Sequence, residues 1–201
     1  MVTPRAGRRF VVATFNRDKA AELQALLALP GVELVTLADR PGATAPEETG
    51  ATLLENARLK ARAAAALTGL PAIADDTGLE VDALGGAPGI HAARYSGPGA
   101  TYAANVAKLL RELEGVPPGL RTARFRTACV AAWPDGREVH ADGVLEGQIT
   151  AAPRGSNGFG YDPVFVPAGE SRTLAELTDA EKNAISHRAH AVRTLARLLE
   201  G

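Results

Sequence analysis

The chain has 201 residues, 46% of them hydrophobic and 22% charged, with a formal net charge of −1; this is the composition of an ordinary globular domain and excludes a disordered or fibrous one. The charge balance gives no general drive toward nucleic acid or a membrane, and no apolar run is long enough to span one, so an anionic ligand must be met by a local cluster of donors. A single cysteine, Cys129, excludes an internal disulfide and a cysteine zinc site; the expectation is one cytoplasmic domain, 1–201.

Residues 1–8 read as a loose polar tail with Arg5 and Arg8 solvated. Residues 10–13 form a short apolar strand, Thr14-Phe15-Asn16-Arg17-Asp18-Lys19 a polar turn, and 20–29 carry apolar residues at helical spacing. Strand, loop and helix in that order present free backbone N–H groups at the helix start. A phosphate can bind there, with Asn16 and Lys19 adding donors, although an ordinary N-cap turn fits the same residues. Only four of the 22 basic residues are lysine (Lys19, Lys60, Lys108, Lys182), so each marks a place where a compact, flexible ammonium is wanted.

Residues 32–37 alternate as a second strand, and 41–50 form a loop containing Glu47-Glu48-Thr49-Gly50. Thr52-Leu53-Leu54-Glu55 is a capping box that opens an Ala-rich helix to Thr68, with Gly69 as its stop. Asn56 and Lys60 lie one turn apart on it, either as part of a solvated stripe or facing a common ligand. Next comes Pro71-Ala72-Ile73-Ala74-Asp75-Asp76-Thr77-Gly78-Leu79, a short apolar strand ending in two carboxylates and a Gly-containing turn. Successive side chains of a strand point to opposite faces, so Asp75 and Asp76 reach one ligand only if the strand bends there. The segment reads either as a polar turn after an edge strand or as a metal site.

The run 84–90 is too rich in Gly and Pro for regular structure and is expected as an ordered loop or a tight corner. Thr101 caps a helix over 102–113, and two strands, 123–133 and 137–145, are joined by Pro134-Asp135-Gly136. Glu138, His140 and Asp142 share one face of the second strand, read as a solvated face rather than a metal triad. Gly155-Ser156-Asn157-Gly158-Phe159-Gly160-Tyr161-Asp162-Pro163 precedes a strand at 164–166, which rules out a dinucleotide fingerprint. Its glycines and aromatics suit a planar ligand approached by backbone and stacked on Phe159 or Tyr161. Helical sequence then runs from the capping box Thr178-Asp179-Ala180-Glu181 to Leu199. In a straight helix Lys182 and His187 stand roughly 140° apart, so both reach one ligand only if it breaks near Ser186.

Taken together, Thr14-x-Asn16-x-x-Lys19, Glu47-Glu48-Thr49-Gly50, Glu55-Asn56-Ala57 with Lys60, Ala74-Asp75-Asp76-Thr77-Gly78-Leu79, Gly86-Ala87-Pro88-Gly89, Gly158-Phe159-Gly160-Tyr161-Asp162-Pro163 and Ser186-His187-Arg188 resemble the inosine triphosphate pyrophosphatase family. The resemblance implies an α/β fold with an elongated mixed β-sheet flanked by helices, and two lobes around a central nucleotide cleft. It implies Mg2+-dependent hydrolysis of ITP, dITP and XTP to the monophosphate and pyrophosphate, by a homodimer with no nucleic-acid or membrane partner. By motif, Thr14, Asn16 and Lys19 bind phosphates, and Glu48 and Asp76 hold the metal. Asp76, Lys60 and Asp75 are catalytic, with Asp76 accepting the proton of water. Thr77, Phe159, Gly160, Tyr161, Asp162, Lys182, His187 and Arg188 contact the substrate, Lys182 also neutralising the triphosphate. Arg188 suits a 6-oxo purine, since the amino group of adenine would set two donors face to face. The chain departs from the family pattern at Phe15 and Asp18, where glycines are common, at Thr77 for serine, and at His91 for an aromatic. A Maf-type nucleotide pyrophosphatase lacks its Ser-Pro-Arg-Arg opening here, and a Nudix hydrolase its Gly-to-Arg-Glu helix box. A non-catalytic nucleotide sensor is the remaining alternative.

Overall fold

A computed structural model describes residues 8–27 and 31–200. The tail expected over 1–8 lies outside the described residues except for Arg8, which opens the first strand, and the expected helix end at Leu29 lies outside them too. In chain order the elements are β1 (Arg8–Val12), α1 (Arg17–Leu26), β2 (Val32–Thr36), α2 (Leu53–Thr68), β3 (Ala72–Val81), β4 (Pro88–Gly89), α3 (Tyr102–Glu112), β5 (Thr122–Ala132), β6 (Glu138–Ile149), β7 (Phe165–Pro167), α4 (Asp179–Ile185) and α5 (His187–Glu200). The strands hydrogen-bond in the order β2-β1-β3-β5-β6-β7, with β4 on β3. β1 pairs parallel with β2 and β3, while β3–β4 and β6–β7 are antiparallel. The fold is therefore mixed α/β, as expected. No described helix is long and apolar enough to cross a membrane.

The chain forms two compact units, neither a continuous stretch of sequence. The first is the chain up to Asp76 with Ala128–Asp142 and everything from His190; the second is Thr77–Thr127 with Gly143–Ala189. In the first unit, strand alternation sorts the core onto two faces. Phe10, Val12 and Ile73 pack with Leu23 and Leu27 of α1 and with Val192 and Leu195 of α5. Val11, Ala13, Ala72 and Ala74 pack with Ala57, Ala61, Ala64 and Ala65, the apolar stripe of α2. The core of the second unit gathers Leu79, Val81, Leu109, Phe125, Tyr161, Phe165 and Leu174.

Several elements differ from expectation. α1 starts at Arg17 rather than at residue 20, because Asn16 caps it, its Oδ1 accepting from Asp18 N and Lys19 N. β3 does not end at Asp75-Asp76 but continues through Thr77-Gly78 to Val81, and Leu79 and Glu80 pair with Gly89 and Pro88. The run 84–90 is thus not irregular throughout: Gly85 and Gly86, at φ of 62° and 91°, turn the chain back so that Pro88–Gly89 forms β4. β6 runs four residues beyond 145 to Ile149, sustained by pairing with β7. The helical sequence after Thr178 is two helices. Ser186 is extended, with φ −65° and ψ 153°, and its Oγ accepts from Ala189 N as the cap of α5.

At Gly147, paired with Pro167, a Cβ would run into Val166 O and come within 2.6 Å of the Phe165 ring. Gly147→Ala should therefore destabilise the fold by about 1–3 kcal/mol. Urea unfolding of the two proteins measures this; an equal midpoint would show that β7 shifts freely.

Candidate active site

In the first unit, β3 delivers two adjacent carboxylates to two different helices. Ile73 and Asp75 lie on the face that packs on α1; Ala72, Ala74 and Asp76 lie on the face that packs on α2. Accordingly Asp75 Oδ2 pairs with Lys19 Nζ of α1 at 3.5 Å, and Asp76 Oδ1 accepts from Lys60 Nζ of α2 at 2.8 Å. The strand runs on through both carboxylates, and each face supplies its own ammonium. Lys60 also donates to Glu48 Oε1 at 3.0 Å. Asn56, fully buried rather than part of a solvated stripe, donates from Nδ2 to Asp76 Oδ2 at 3.4 Å and accepts from Gly50 N at 2.8 Å. That second bond anchors the loop carrying Glu48, and Gly50 has no room for a Cβ, which would fall 2.6 Å from Asn56 Oδ1.

The cluster holds three carboxylates, Glu48, Asp75 and Asp76, against two ammoniums, Lys19 and Lys60. Lys60 is shared between two of the three carboxylates. Burial pushes the Asp76 carboxyl above the ordinary carboxylate range, against the downward pull of Lys60 and Lys19. Burial works against the charge of Lys60, yet Asp76, Asp75 and Glu48 together hold its pKa above the usual lysine value. Such a site gains from another cation, and its oxygen donors suit a hard one. Among the described residues no group of three or more His, Cys, Asp or Glu is arranged to hold a metal. The residues fit Mg2+, which binds through one or two carboxylates and takes its other ligands from water and phosphate.

The turn before α1 is built from side-chain caps. Thr14 Oγ1 accepts from Asn16 N, and Asn16 Oδ1 satisfies two of the first N–H groups of the helix, those of Asp18 and Lys19. No described non-glycine residue has positive φ, so Phe15 and Asp18 stand in this turn without backbone strain.

In the second unit, the break at Ser186 buries Lys182, His187 and Arg188, each no more than 4% exposed. Lys182 Nζ donates to Asp162 Oδ2 at 2.5 Å and lies 4.8 Å from the centre of the half-buried Phe159 ring; the Arg188 guanidinium lies 5.7 Å from it. Asp162 Oδ2 also accepts from Phe159 N at 2.8 Å. Gly158, at φ 72°, has Asp162 Oδ2 where a Cβ would be, so only glycine allows this carboxylate to close on its loop. Arg188 Nη2 donates to Thr77 Oγ1 at 3.2 Å, Thr77 Oγ1 lies 2.8 Å from Thr127 Oγ1, and Thr127 Oγ1 lies 2.6 Å from His187 Nδ1. The His187 ring stacks on Phe125 at 4.6 Å.

One expectation needs correction. Tyr161 offers no stacking face, since it is a core residue whose hydroxyl donates to Ala92 O. Asp162, itself buried, holds Phe159 N and Lys182 Nζ. Gly160, at φ 65°, has open space where a Cβ would be. The Glu138, His140, Asp142 face is polar, with Glu138 taking Arg58 and Arg62 of α2. Sequence reasoning missed Thr127, a hydroxyl within an apolar strand, and Tyr102, whose exposed ring lies 5.8 Å from Phe159. Neither carries a motif; the only signal was for Tyr102, an aromatic directly after the helix cap Thr101.

The model of the Ham1 family matches residues 10–198. A dITP/XTP pyrophosphatase of Geobacillus kaustophilus is 51% identical over 94% of this chain and 92% of its own length. One of Shigella flexneri is 50% identical over 94% and 96%. Among solved structures, a HAM1 protein from Coxiella burnetii is 42% identical with a TM-score of 0.86, covering 96% of this chain and 98% of that one.

Lys60→Met leaves Asp76 and Glu48 facing each other across an apolar side chain. The loss should be about 3 kcal/mol of stability, recovered in part by millimolar Mg2+, which takes over the missing charge. Urea titrations with and without Mg2+ read both effects, and a variant as stable as wild type without the metal would disprove the charge argument.

Proposed function

The chain belongs to the Ham1 family, and on that footing we propose that it hydrolyses dITP, ITP and XTP between the α and β phosphorus, releasing the monophosphate and pyrophosphate. The observation that carries this reading is the cluster of Glu48, Lys60 and Asp76, an oxygen-rich site in which two carboxylates share one ammonium. Glu48 and Asp76 would hold Mg2+, which would supply positive charge to the triphosphate and to charge developing in the transition state. Lys19 and Lys60 face the triphosphate with their ammonium groups, and Thr14 and Asn16 shape the turn that receives it. Asp76 takes the proton of the attacking water. Its Oδ1 is tied to Lys60, whereas Oδ2 has only the long bond from Asn56, so Oδ2 is the oxygen assigned to the proton. Asp75 keeps Lys19 in place.

The residues of the second unit take the base. Phe159 offers its ring, with Gly160 leaving space beside it, and Arg188 and His187 present donors to a purine carbonyl. Adenine, with an amino group at position 6, leaves these donors unmet. GTP shares the 6-oxo group and is rejected at position 2 by the surroundings of Phe159.

Turnover of a nucleotide panel with a pyrophosphate-specific readout tests this. ITP, dITP and XTP should run well ahead of GTP and ATP, with pyrophosphate as the direct product. Asp76→Asn should lower kcat by about a hundredfold or more while unfolding at a similar temperature. Direct release of orthophosphate, or near-normal turnover by the variant, would overturn the scheme.

We also propose a cytoplasmic homodimer, associating through the segment 85–95. That segment is held firmly: Asn105 bonds Ser96 N, Ala92 O and Ala93 O, Lys108 bonds Tyr95 O, and the Tyr95 hydroxyl donates to Glu112. A rigid, partly apolar surface of this kind suits association, and an obligate interface buries roughly 2,000 Å2 or more. Light scattering at micromolar concentration should give about 42 kDa, two chains of 20.8 kDa each; a single-chain mass would remove the proposal.

A further inference from the structure

Glu48 and Asp76 come from different elements, a loop and β3, and two side chains of α2 join them. Lys60 bridges them by charge, donating to Glu48 Oε1 at 3.0 Å and to Asp76 Oδ1 at 2.8 Å. Asn56 joins them in another way. Its Oδ1 accepts from the backbone N–H of Gly50, two residues beyond Glu48, at 2.8 Å, and its Nδ2 donates to Asp76 Oδ2 at 3.4 Å. Both ends fix the orientation of the amide: reversed, it would set Nδ2 against the N–H of Gly50 and Oδ1 against the carboxylate, like against like.

Asn56 is fully buried, so neither end of its amide can exchange its partner for water. The neighbouring tie, from Ala51 N to Glu55 Oε2 at 2.7 Å, joins two exposed residues, and water can replace it. Gly50 is fitted to the buried contact, since an added Cβ would fall 2.6 Å from Asn56 Oδ1 and 2.7 Å from Glu55 Cβ. The two bridges also differ in how they meet a cation. The ammonium of Lys60 lies against both carboxylates and is repelled by a metal ion placed on the same oxygens. The amide of Asn56 carries no charge, so it holds the loop and the strand together without opposing the metal.

We propose that Asn56 is a positioning residue for the metal. It ties the loop of Glu48 to Asp76, so that both oxygen donors are in place before Mg2+ arrives. Groups that hold metal ligands from behind are worth roughly ten- to a hundredfold in metal affinity, and the bond from Gly50 to Asn56 acts in that way on Glu48. This rests on the reading of Glu48 and Asp76 as the residues that take the metal, while the tie itself is a property of the metal-free protein.

Mn2+ takes the same oxygen ligands as Mg2+, and electron paramagnetic resonance counts the free ion as Mn2+ is titrated into protein without substrate. Asn56→Ala should bind Mn2+ about tenfold more weakly than wild type. Gly50→Ala should show a similar loss from the other end of the bond, and the double variant should be no weaker than Asn56→Ala. Glu55→Ala, which removes only the exposed tie, should bind as wild type does. In turnover of ITP, Asn56→Ala should need about tenfold more Mg2+ for half-maximal rate and recover most of kcat at saturating Mg2+; general damage to the fold would lower kcat at every Mg2+ concentration. Amide exchange of metal-free wild type should show Gly50 protected. A freely exchanging Gly50 overturns the proposal even if no variant folds, and so does a folded Asn56→Ala with wild-type affinity for Mn2+. Wild-type protein that binds no Mn2+ and hydrolyses ITP without a divalent cation removes the metal reading and this proposal with it. Weakened Mn2+ binding by Asn56→Ala, in a protein whose wild type hydrolyses none of the nucleotides, upholds the tie and removes only the proposed activity.

Discussion

Two neighbouring carboxylates in one straight strand must face opposite ways, and the first unit is arranged around that requirement. Each of Asp75 and Asp76 is nearly buried, and a buried charge persists only with a partner. β3 therefore needs a cation above and a cation below. α1 and α2 supply them as Lys19 and Lys60, on the faces where the same helices bury Leu23 and Ala57 against the sheet. The packing that forms the core is thus the packing that places the ammoniums. The compact ammonium of Lys60 is shared between Asp76 and Glu48.

A related economy governs the second unit. Three cationic or ionisable side chains, Lys182, His187 and Arg188, come from seven consecutive residues, which a straight helix would scatter around its circumference. The extended residue Ser186 ends α4, and its hydroxyl caps α5 so that the break leaves fewer donors unmet. Each meets a partner within its own unit: Asp162 accepts from Lys182, Thr77 accepts from Arg188, and Thr127 Oγ1 lies 2.6 Å from His187 Nδ1. Removing one partner of a buried ion pair costs several kcal/mol, much more than an exposed pair is worth. The Lys182 to Asp162 contact therefore counts for more than the surface network of Arg124 with Glu80, Asp82 and Glu146.

Glycines in this protein are informative where they make room as well as where they turn the chain. Gly50 lets Asn56 reach the backbone of the Glu48 loop, and Gly158 lets Asp162 close on Phe159. In both cases a polar side chain occupies the space that a Cβ would fill, and that side chain in turn holds a member of the candidate site.

The mixed α/β class, most elements to within a few residues, and the residues that form the two candidate sets were legible in the chain. They rest on local physics: alternation in strands, capping at Thr52, Thr101 and Thr178, and stop signals such as Gly69. The seven ordered motifs added the family. Local physics misled where pairing across the sheet overruled it. Asp75-Asp76-Thr77-Gly78 reads as a turn in isolation, yet it is strand interior because lysines neutralise its charges and β4 pairs with the strand beyond it. Spacing likewise left open whether Lys182 and His187 face the same way; the extended conformation of Ser186 decided it. Nor does any motif distinguish Phe159, half-exposed beside two cations, from Tyr161, two residues on and deep in the core with its hydroxyl on Ala92. Thr127 had no signal in sequence, because one threonine in an apolar strand acquires its meaning only from partners fifty and sixty residues away. Periodicity and motif are properties of neighbouring residues, whereas burial, charge pairing and hydrogen-bond sense are set by residues that meet only when the chain is folded.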